Sequence, residues 1–250
     1  MKIIPLSEGA FTIDQTKEFV PFNIEKDDLQ KRAVGSLLVE IQPFVVVTKK
    51  DIIIIDCGLG FSNDNGILQI HQNLTDHGID PLSVTKVLLS HLHKDHAGGV
   101  SKYDPILNQS FLSFPNAIHY VNEEELILSN QVNNPSYSSR KTAILNHSEK
   151  VVLLSNDGVI DDYITYKKTS AHSPNHMVFW IREDEQIVFF GGDDAPQLQQ
   201  MKSKFIAKYD FNGRKCMELR AEWWKQGNIE QWVFLFYHDI KTPVYSFKQG

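Results

Sequence analysis

Residues 90–99 read SHLHKDHAGG, directly after a strand read at 84–89. In an extended segment residues i and i+2 project to the same side, so His91 and His93 can grip one ion together. If the chain then turns, Asp95 and His96 present a carboxylate oxygen and an imidazole nitrogen to a second position beside the first. Gly98 and Gly99 permit a tight departure. Taken singly, each of these histidines reads better as a solvated loop residue or a packed core imidazole. Four metal-competent side chains within six residues at a strand end favour a metal centre instead.

The rest of the composition agrees with that chemistry. Ten histidines stand against two cysteines, Cys57 and Cys216, so metal ligands must come from imidazole and carboxylate rather than thiolate. Two cysteines are also too few for a disulfide framework or a Cys₄ zinc ribbon. With 250 residues, 42% hydrophobic and 22% charged, the chain can bury a real core. No repeat or linker divides it, and one layered domain over 1–250 is expected. The net charge of −6 gives no general attraction to a polyanion, so a small-molecule substrate is expected and a nucleic-acid partner is not. The N-terminal MKIIPLSEGAFTIDQ reaches Pro5, Glu8 and Asp14 before an apolar run of signal-peptide length accumulates. The longest apolar stretches fall far below the ~20 residues of a bilayer span. The expectation is a cytoplasmic protein without membrane contact; oligomeric state stays open, a homodimer included.

Hydrophobic patterning places strands at Leu37–Ile41, Phe44–Val47 and Ile52–Ile55, read as a β-meander whose last strand lies deep inside. Ile67, Ile70 and Leu74 give 66–77 the spacing of an amphipathic helix, with Gly78 to stop it. The more polar stretch 122–150 reads as helices at 123–128 and 140–145, with loops covering a site mouth. Strands return at Val151–Leu154, 164–166, 177–181 and Gln186–Phe190, the last two joined as a hairpin through 183–185. Met217, Ala221 and Trp224 then mark a helix over 213–226 with Gly227 as its stop, and 232–237 closes as a strand.

The motif His-x-His-x-Asp-His followed by Ala-Gly-Gly resembles the metallo-β-lactamase fold superfamily, and the resemblance covers nearly the whole chain. Asp56, in IIIIDCGLG, matches the first motif, an aspartate that supports the metal loop without ligating. AHSPNH over 171–176 is similar to the third motif, with His172 as ligand and His176 as a packing residue. Gly192-Asp193 matches the fourth, and His238 in FLFYHD the fifth. The resemblance implies a four-layer αββα sandwich of mixed α/β class. It implies one metal held by His91, His93 and His172, a second by Asp95, His96 and His238, and Asp193 shared between them. Asp194 takes the bridging role if the strand register is off by one, but Asp193 fits the motif. Asp95 and Asp193 are the catalytic carboxylates of this scheme.

The donor set suits two divalent ions, Zn²⁺ first, with Fe²⁺, Mn²⁺ or Co²⁺ as other occupants. Two such ions ~3.5–4 Å apart could share a water and generate hydroxide at neutral pH, so no protein nucleophile is needed. His71, His77, His119 and His147 fall outside every motif and read as structural or surface residues; Cys57, Trp223 and Trp224 read as packing.

Within the superfamily, His93 stands where the di-iron flavoprotein branch carries glutamate, which favours hydrolysis over electron transfer. Asp193 and the absence of a signal-peptide pattern disfavour a β-lactamase. Only twelve residues follow His238, too few for the glutathione-binding region of glyoxalase-II-like enzymes. The segment from Tyr209-Asp210-Phe211-Asn212 to Arg220 resembles the branch of acyl-homoserine-lactone lactonases and methyl-parathion-hydrolase-like proteins. That branch places a tyrosine three residues after the bridging aspartate, where this chain has Pro196; Tyr209 or Tyr237 could supply a phenol instead. The expectation is a hydrolase of a lactone, carboxyl ester or organophosphate ester. The rival is a non-hydrolytic di-metal protein of the same fold, such as a di-iron redox centre. Pocket walls are expected from 19–31, 61–66 and 122–150.

Overall fold

The computed structural model describes residues 1–131 and 133–247. Ile52–Ile55 carries no polar residue because both of its faces are covered. Ile53 and Ile55 point into a core shared with a second sheet, and Ile54 points into a layer with helices. The strand is third in a six-stranded sheet ordered Lys2–Pro5, Phe44–Val47, Ile52–Ile55, Lys86–Leu88, Ile118–Asn122 and Val151–Leu154. A second six-stranded sheet runs Asp157–Ile160, Ile164–Lys168, Met177–Glu183, Gln186–Phe190, Val233–Leu235 and Val244–Ser246.

Phe44, Ile55 and Leu88 of the first sheet meet Phe179, Phe190 and Leu235 of the second in the central core. Outside the first sheet, helix Gln69–Asp76 buries Ile70 and Leu74, and helix Glu123–Gln131 buries Leu126, against Val45, Val87 and Val121. Outside the second sheet, helix Gly213–Glu230 packs Trp223 on Val178, Phe189 and Phe234. This is a mixed α/β fold with the four-layer αββα sandwich read from the sequence.

Parallel pairing decides where a site can form. Ile52–Ile55, Lys86–Leu88 and Ile118–Asn122 run parallel, as do Gln186–Phe190 and Val233–Leu235. The loops that leave Ile55 and Leu88 therefore share one edge of the first sheet, and those that leave Phe190 and Leu235 share one edge of the second.

Several elements differ from the sequence reading. Leu37–Ile41 pairs with Gly9–Ile13 in a separate three-stranded sheet, so 37–55 is not a meander; Gln42 and Pro43 carry the chain between sheets. The helix expected over 66–77 starts at Gln69, because Ser62 and Leu68 form a β-bridge just before it. The helix begun at Gly213 runs through Gly227 to Glu230 and is capped by Gln231 in the left-handed region at φ 58°. Gly227 is needed there for contact rather than for termination, since a Cβ at that position would collide with the Phe234 ring. Its buried stripe is Gly213, Cys216, Arg220, Trp223 and Gly227, not Met217, Ala221 and Trp224. Arg220 goes inside because its Nη1 donates to the Asp194 carbonyl at 2.8 Å and its Nη2 to that of Phe205. The closing strand is the shorter Val233–Leu235.

Candidate metal centre

Asp56 follows Ile55 in the left-handed region, φ 55°, which turns its carboxylate back across the neighbouring strand end. It accepts from the Ser90 amide at 2.8 Å and the Ser90 hydroxyl at 2.7 Å, and its Oδ2 lies 2.7 Å from His96 Nδ1. These contacts fix the start of the histidine loop and turn His96 Nε2 toward the cluster. Lys94–Ala97 is one helical turn, so the alternation that sets His91 beside His93 gives way to a turn that sets Asp95 and His96 on the next position. The glycines after it serve close approach: a Cβ on Gly99 would strike the carbonyl of Cys57, so the 57–60 loop seats directly on the ligand loop.

The other ligand candidates come from loops of the second sheet. The His172 amide donates to Asp194 Oδ1 at 2.7 Å, and its Nδ1 lies 2.8 Å from Asp210 Oδ1, leaving Nε2 for the cluster. His238 is held by its Nδ1, 2.7 Å from the Glu40 carbonyl. Asp193 sits on the turn after Phe190 and donates its amide to His176 Nε2 at 3.1 Å. His176 is thus a buried support of the cluster and not one of its inward-facing donors.

Two groups of donor atoms result, each lying within 4.8 Å of one another: His91, His93, His172 and Asp193, then Asp95, His96 and His238. In the first, His91 Nε2 to His93 Nδ1 is 2.9 Å, His93 Nδ1 to His172 Nε2 is 3.3 Å, and His172 Nε2 to Asp193 Oδ2 is 3.3 Å. In the second, Asp95 Oδ2 is 3.6 Å from both His96 Nε2 and His238 Nε2. Asp193 Oδ1 is 3.1 Å from His96 Nε2 and 3.0 Å from His238 Nε2. Ligands at ~2.0–2.1 Å in tetrahedral array around zinc stand about 3.4 Å apart, so these spacings match a shared ion. His96 Nε2 and Asp193 Oδ1 are buried without a hydrogen-bond partner, which a metal would remedy. The residues therefore fit two divalent ions. Asp194 faces His172, His176 and Cys216 instead, so the register places Asp193 in the cluster.

Protonation in the cluster follows the carboxylates rather than the two donor groups. Burial, then the charges of His96 and His93, hold His91 well below the usual imidazole range; burial and His172 do the same for His93. Burial also pulls His96 down, but Asp193, Asp95 and Asp56 outweigh it and push it well up. His172 and His238 are raised likewise, against burial, chiefly by Asp193. Burial works to raise Asp193, yet His238, His96 and His172 hold its carboxyl well below the ordinary range. Protons thus gather where cations would be bound, and metal binding must displace them.

Sequence reasoning missed the supports. Glu125, fully buried, accepts from the Leu92 amide at 3.1 Å and from the Tyr137 hydroxyl at 3.1 Å, while the Tyr137 ring stands edge-on to His93 at 4.8 Å. The Lys94 amide donates to the Ser136 carbonyl at 2.7 Å, so residues 134–137 brace the ligand loop. Asp210 was visible only as part of a branch resemblance, without a role. Tyr237 is no candidate phenol for a substrate: it is buried, stacks on His96 at 4.0 Å, and donates to the Asp95 carbonyl at 2.6 Å. Tyr209 does line the cleft.

That cleft, about 830 Å³, opens over the two groups. Of the expected walls, Phe19 and the 128–137 region contribute. Residues 61–66 do not, Phe61 packing on Phe11 instead. The remaining walls come from 13–17, 35–39 and 196–211.

A model of the metallo-beta-lactamase superfamily matches residues 40–193. The chain belongs to that superfamily. Among solved structures it is similar to a probable metal-dependent hydrolase from Staphylococcus aureus, with TM-score 0.78, 20% identity, and 98% of this chain and 92% of that one covered. It is similar to the hydrolase AbOPH, with TM-score 0.74, 20% identity and 98% and 89% covered. It is also similar to AidC, a dizinc quorum-quenching lactonase, with TM-score 0.69, 18% identity and 97% and 88% covered. No curated protein matches the chain.

Proposed function

We propose that the chain is a dinuclear metal-dependent hydrolase of ester-like small molecules: lactones, carboxyl esters or organophosphate esters. The observation that carries this reading is the placement of Asp193, with Oδ2 beside the His91–His93–His172 group and Oδ1 beside His96 and His238. A structural zinc closes on four ligands and needs no shared carboxylate. His91, His93 and His172 would hold one ion, Asp95, His96 and His238 the other, and Asp193 both; the imidazole-rich set suits zinc. Two such ions, when bound, supply Lewis acidity toward a substrate oxygen and lower the pKa of water enough to provide a nucleophile near neutral pH.

The protein's own part is positioning and proton traffic. Asp56 and Asp210 orient His96 and His172 through their far nitrogens, the outer support that fixes an imidazole ligand. Asp95 and Asp193 border the cleft; Asp95 would take a proton from the attacking group and return one to the leaving oxygen, while Asp193 would hold the ions through both oxygens. Phe19, Leu37 and Phe205 offer apolar wall for the body of a substrate. The lactonase and hydrolase among the structural relatives support an ester-like substrate.

The test is a panel of aryl ester, lactone and phosphotriester substrates with zinc-replete protein and its Asp193→Ala variant. Hydrolysis of at least one class, reduced at least a hundredfold in the variant, is expected, on the order of what loss of a key electrostatic group costs. No hydrolysis by the zinc-replete protein, together with iron and visible absorption bleached by dithionite in protein purified without added metal, would overturn the reading in favour of a redox centre.

A further inference from the structure

Two lysines line the metal cleft without an ion-pair partner among the described residues. Lys17 and Lys94 both line it, alongside His93, Asp95 and Asp193. Lys94 immediately follows His93, and its Nζ lies 5.8 Å from the centre of the Phe19 ring, two residues from Lys17. Lys17 and His93 line the same cleft. Among the described residues neither ammonium has a carboxylate within the 4.0 Å of an ion pair, whereas Lys49, Lys86 and Lys168 each do. The shortage is not global, because the chain carries 31 acidic residues against 25 basic ones.

The carboxylates nearest the rim are committed elsewhere. Asp14 Oδ1 accepts from the Thr16 amide at 2.8 Å and its hydroxyl at 2.6 Å, and the same turn sets Lys17 in the left-handed region at φ 61°. Asp210 is bound to His172, and Asp95 and Asp193 belong to the metal groups. The other polar groups of the wall include Asn134, Ser136, Gln197 and Gln200, all neutral. A lysine that lines a cleft without an ion partner keeps its charge for an entering anion.

We propose that Lys17 and Lys94 form a seat for an anionic group of the substrate, a carboxylate or a phosphate, held on the rim while the scissile ester reaches the metal centre. The inference rests on the hydrolase reading and narrows it from ester-like molecules to anionic ones. Lys94, on the ligand turn, and Lys17, between strands Gly9–Ile13 and Phe19–Pro21, hold the group between them.

The experiment compares mono(4-nitrophenyl) glutarate with 4-nitrophenyl butyrate, esters with one leaving group that differ in a terminal carboxylate. Zinc-loaded wild type is set beside the Lys17→Met/Lys94→Met double variant, which keeps the aliphatic packing. The ratio of kcat/KM for the anionic over the neutral ester should fall about tenfold in the variant, mainly through KM, as expected for loss of a charge-assisted hydrogen bond. In wild type the same ratio should fall with added salt. A ratio equal in both proteins overturns the seat.

If neither ester is cleaved, the hydrolase reading is decided separately by the lactone and phosphotriester members of the panel. The seat is then read by calorimetric binding of monomethyl glutarate and of inorganic phosphate to both zinc-loaded proteins. Binding of either probe about tenfold weaker in the variant supports the seat, and the probe that loses more identifies the anion. Equal affinities for both probes overturn it.

Discussion

Asp193 and Asp194 are neighbours in sequence and opposite in use. Asp193 turns both oxygens to the imidazole cluster, while Asp194 binds the His172 amide and lies 3.2 Å from His176. Asp193→Asn should therefore lower metal content. Asp194→Asn keeps an acceptor for the His172 amide and should leave metal content near wild type, both measured by elemental analysis. Protons compete for the same centre. His96, His172 and His238 are all raised above the ordinary imidazole value, with burial overcome by nearby carboxylates, so they must shed protons to bind metal. Apparent metal affinity should weaken on acidification from a point above pH 6.5, as a competition titration with a chromophoric chelator would report. His119 titrates in the other direction. Burial in the first sheet, only partly opposed by backbone contacts at Ala117 and Lys150, brings it down to about 4 from 6.5. The unfolded state therefore takes up its proton first. Stability is full above pH 6.5 and declines as pH falls toward 4, by roughly 3 kcal/mol for the whole shift. His119→Leu should flatten the denaturation midpoint across that window; a wild-type slope retained in the variant would contradict this assignment.

At the scale of elements, the ligand loop is held by a segment remote in sequence. Glu125, at the start of helix Glu123–Gln131, reaches the Leu92 amide between two ligand histidines and also anchors Tyr137. Removing such outer support typically weakens metal binding about 10–100-fold. Glu125→Ala should do so, and Glu125→Gln, which keeps an acceptor for both donors, should restore most of it. Co²⁺ titration followed by its visible bands is the measurement. Helix Gly213–Glu230 gives a second test: Gly227→Ala raises helix propensity yet drives a methyl into Phe234, so it should destabilise by about 1–3 kcal/mol, the usual cost of overpacking. That helix also shows what sequence patterning could not resolve. Besides Trp223, its inward face is marked by two glycines, a cysteine and Arg220, which a pattern of large apolar residues does not pick out. Ile52–Ile55, by contrast, was legible because burial on both faces leaves only apolar residues.

Across the whole molecule, the centre draws its candidate ligands from loops at the edges of both sheets, between residues 91 and 238. The ligand candidates were readable because each falls in a short motif that resembles one of the superfamily's. Asp210 and Glu125 were not, since they meet the cluster from 38 residues beyond His172 and 33 beyond Leu92. The cleft walls beyond Phe19 and the 128–137 region were missed for the same reason, being assembled from 13–17, 35–39 and 196–211 by the closing of the sandwich. A metal bound across both sheets binds the folded state only, so each site filled at about a hundred times its Kd adds about 2.7 kcal/mol. Chelation should accordingly lower the melting temperature, and zinc should restore it. The most direct test of the central claim is the metal stoichiometry of wild type and Asp193→Ala after zinc loading and dialysis, measured with hydrolysis of the ester panel. Two zinc ions per chain with hydrolysis in wild type, and both reduced in the variant, are expected. Two ions retained in Asp193→Ala with undiminished hydrolysis, or a wild type that binds no metal, would contradict it.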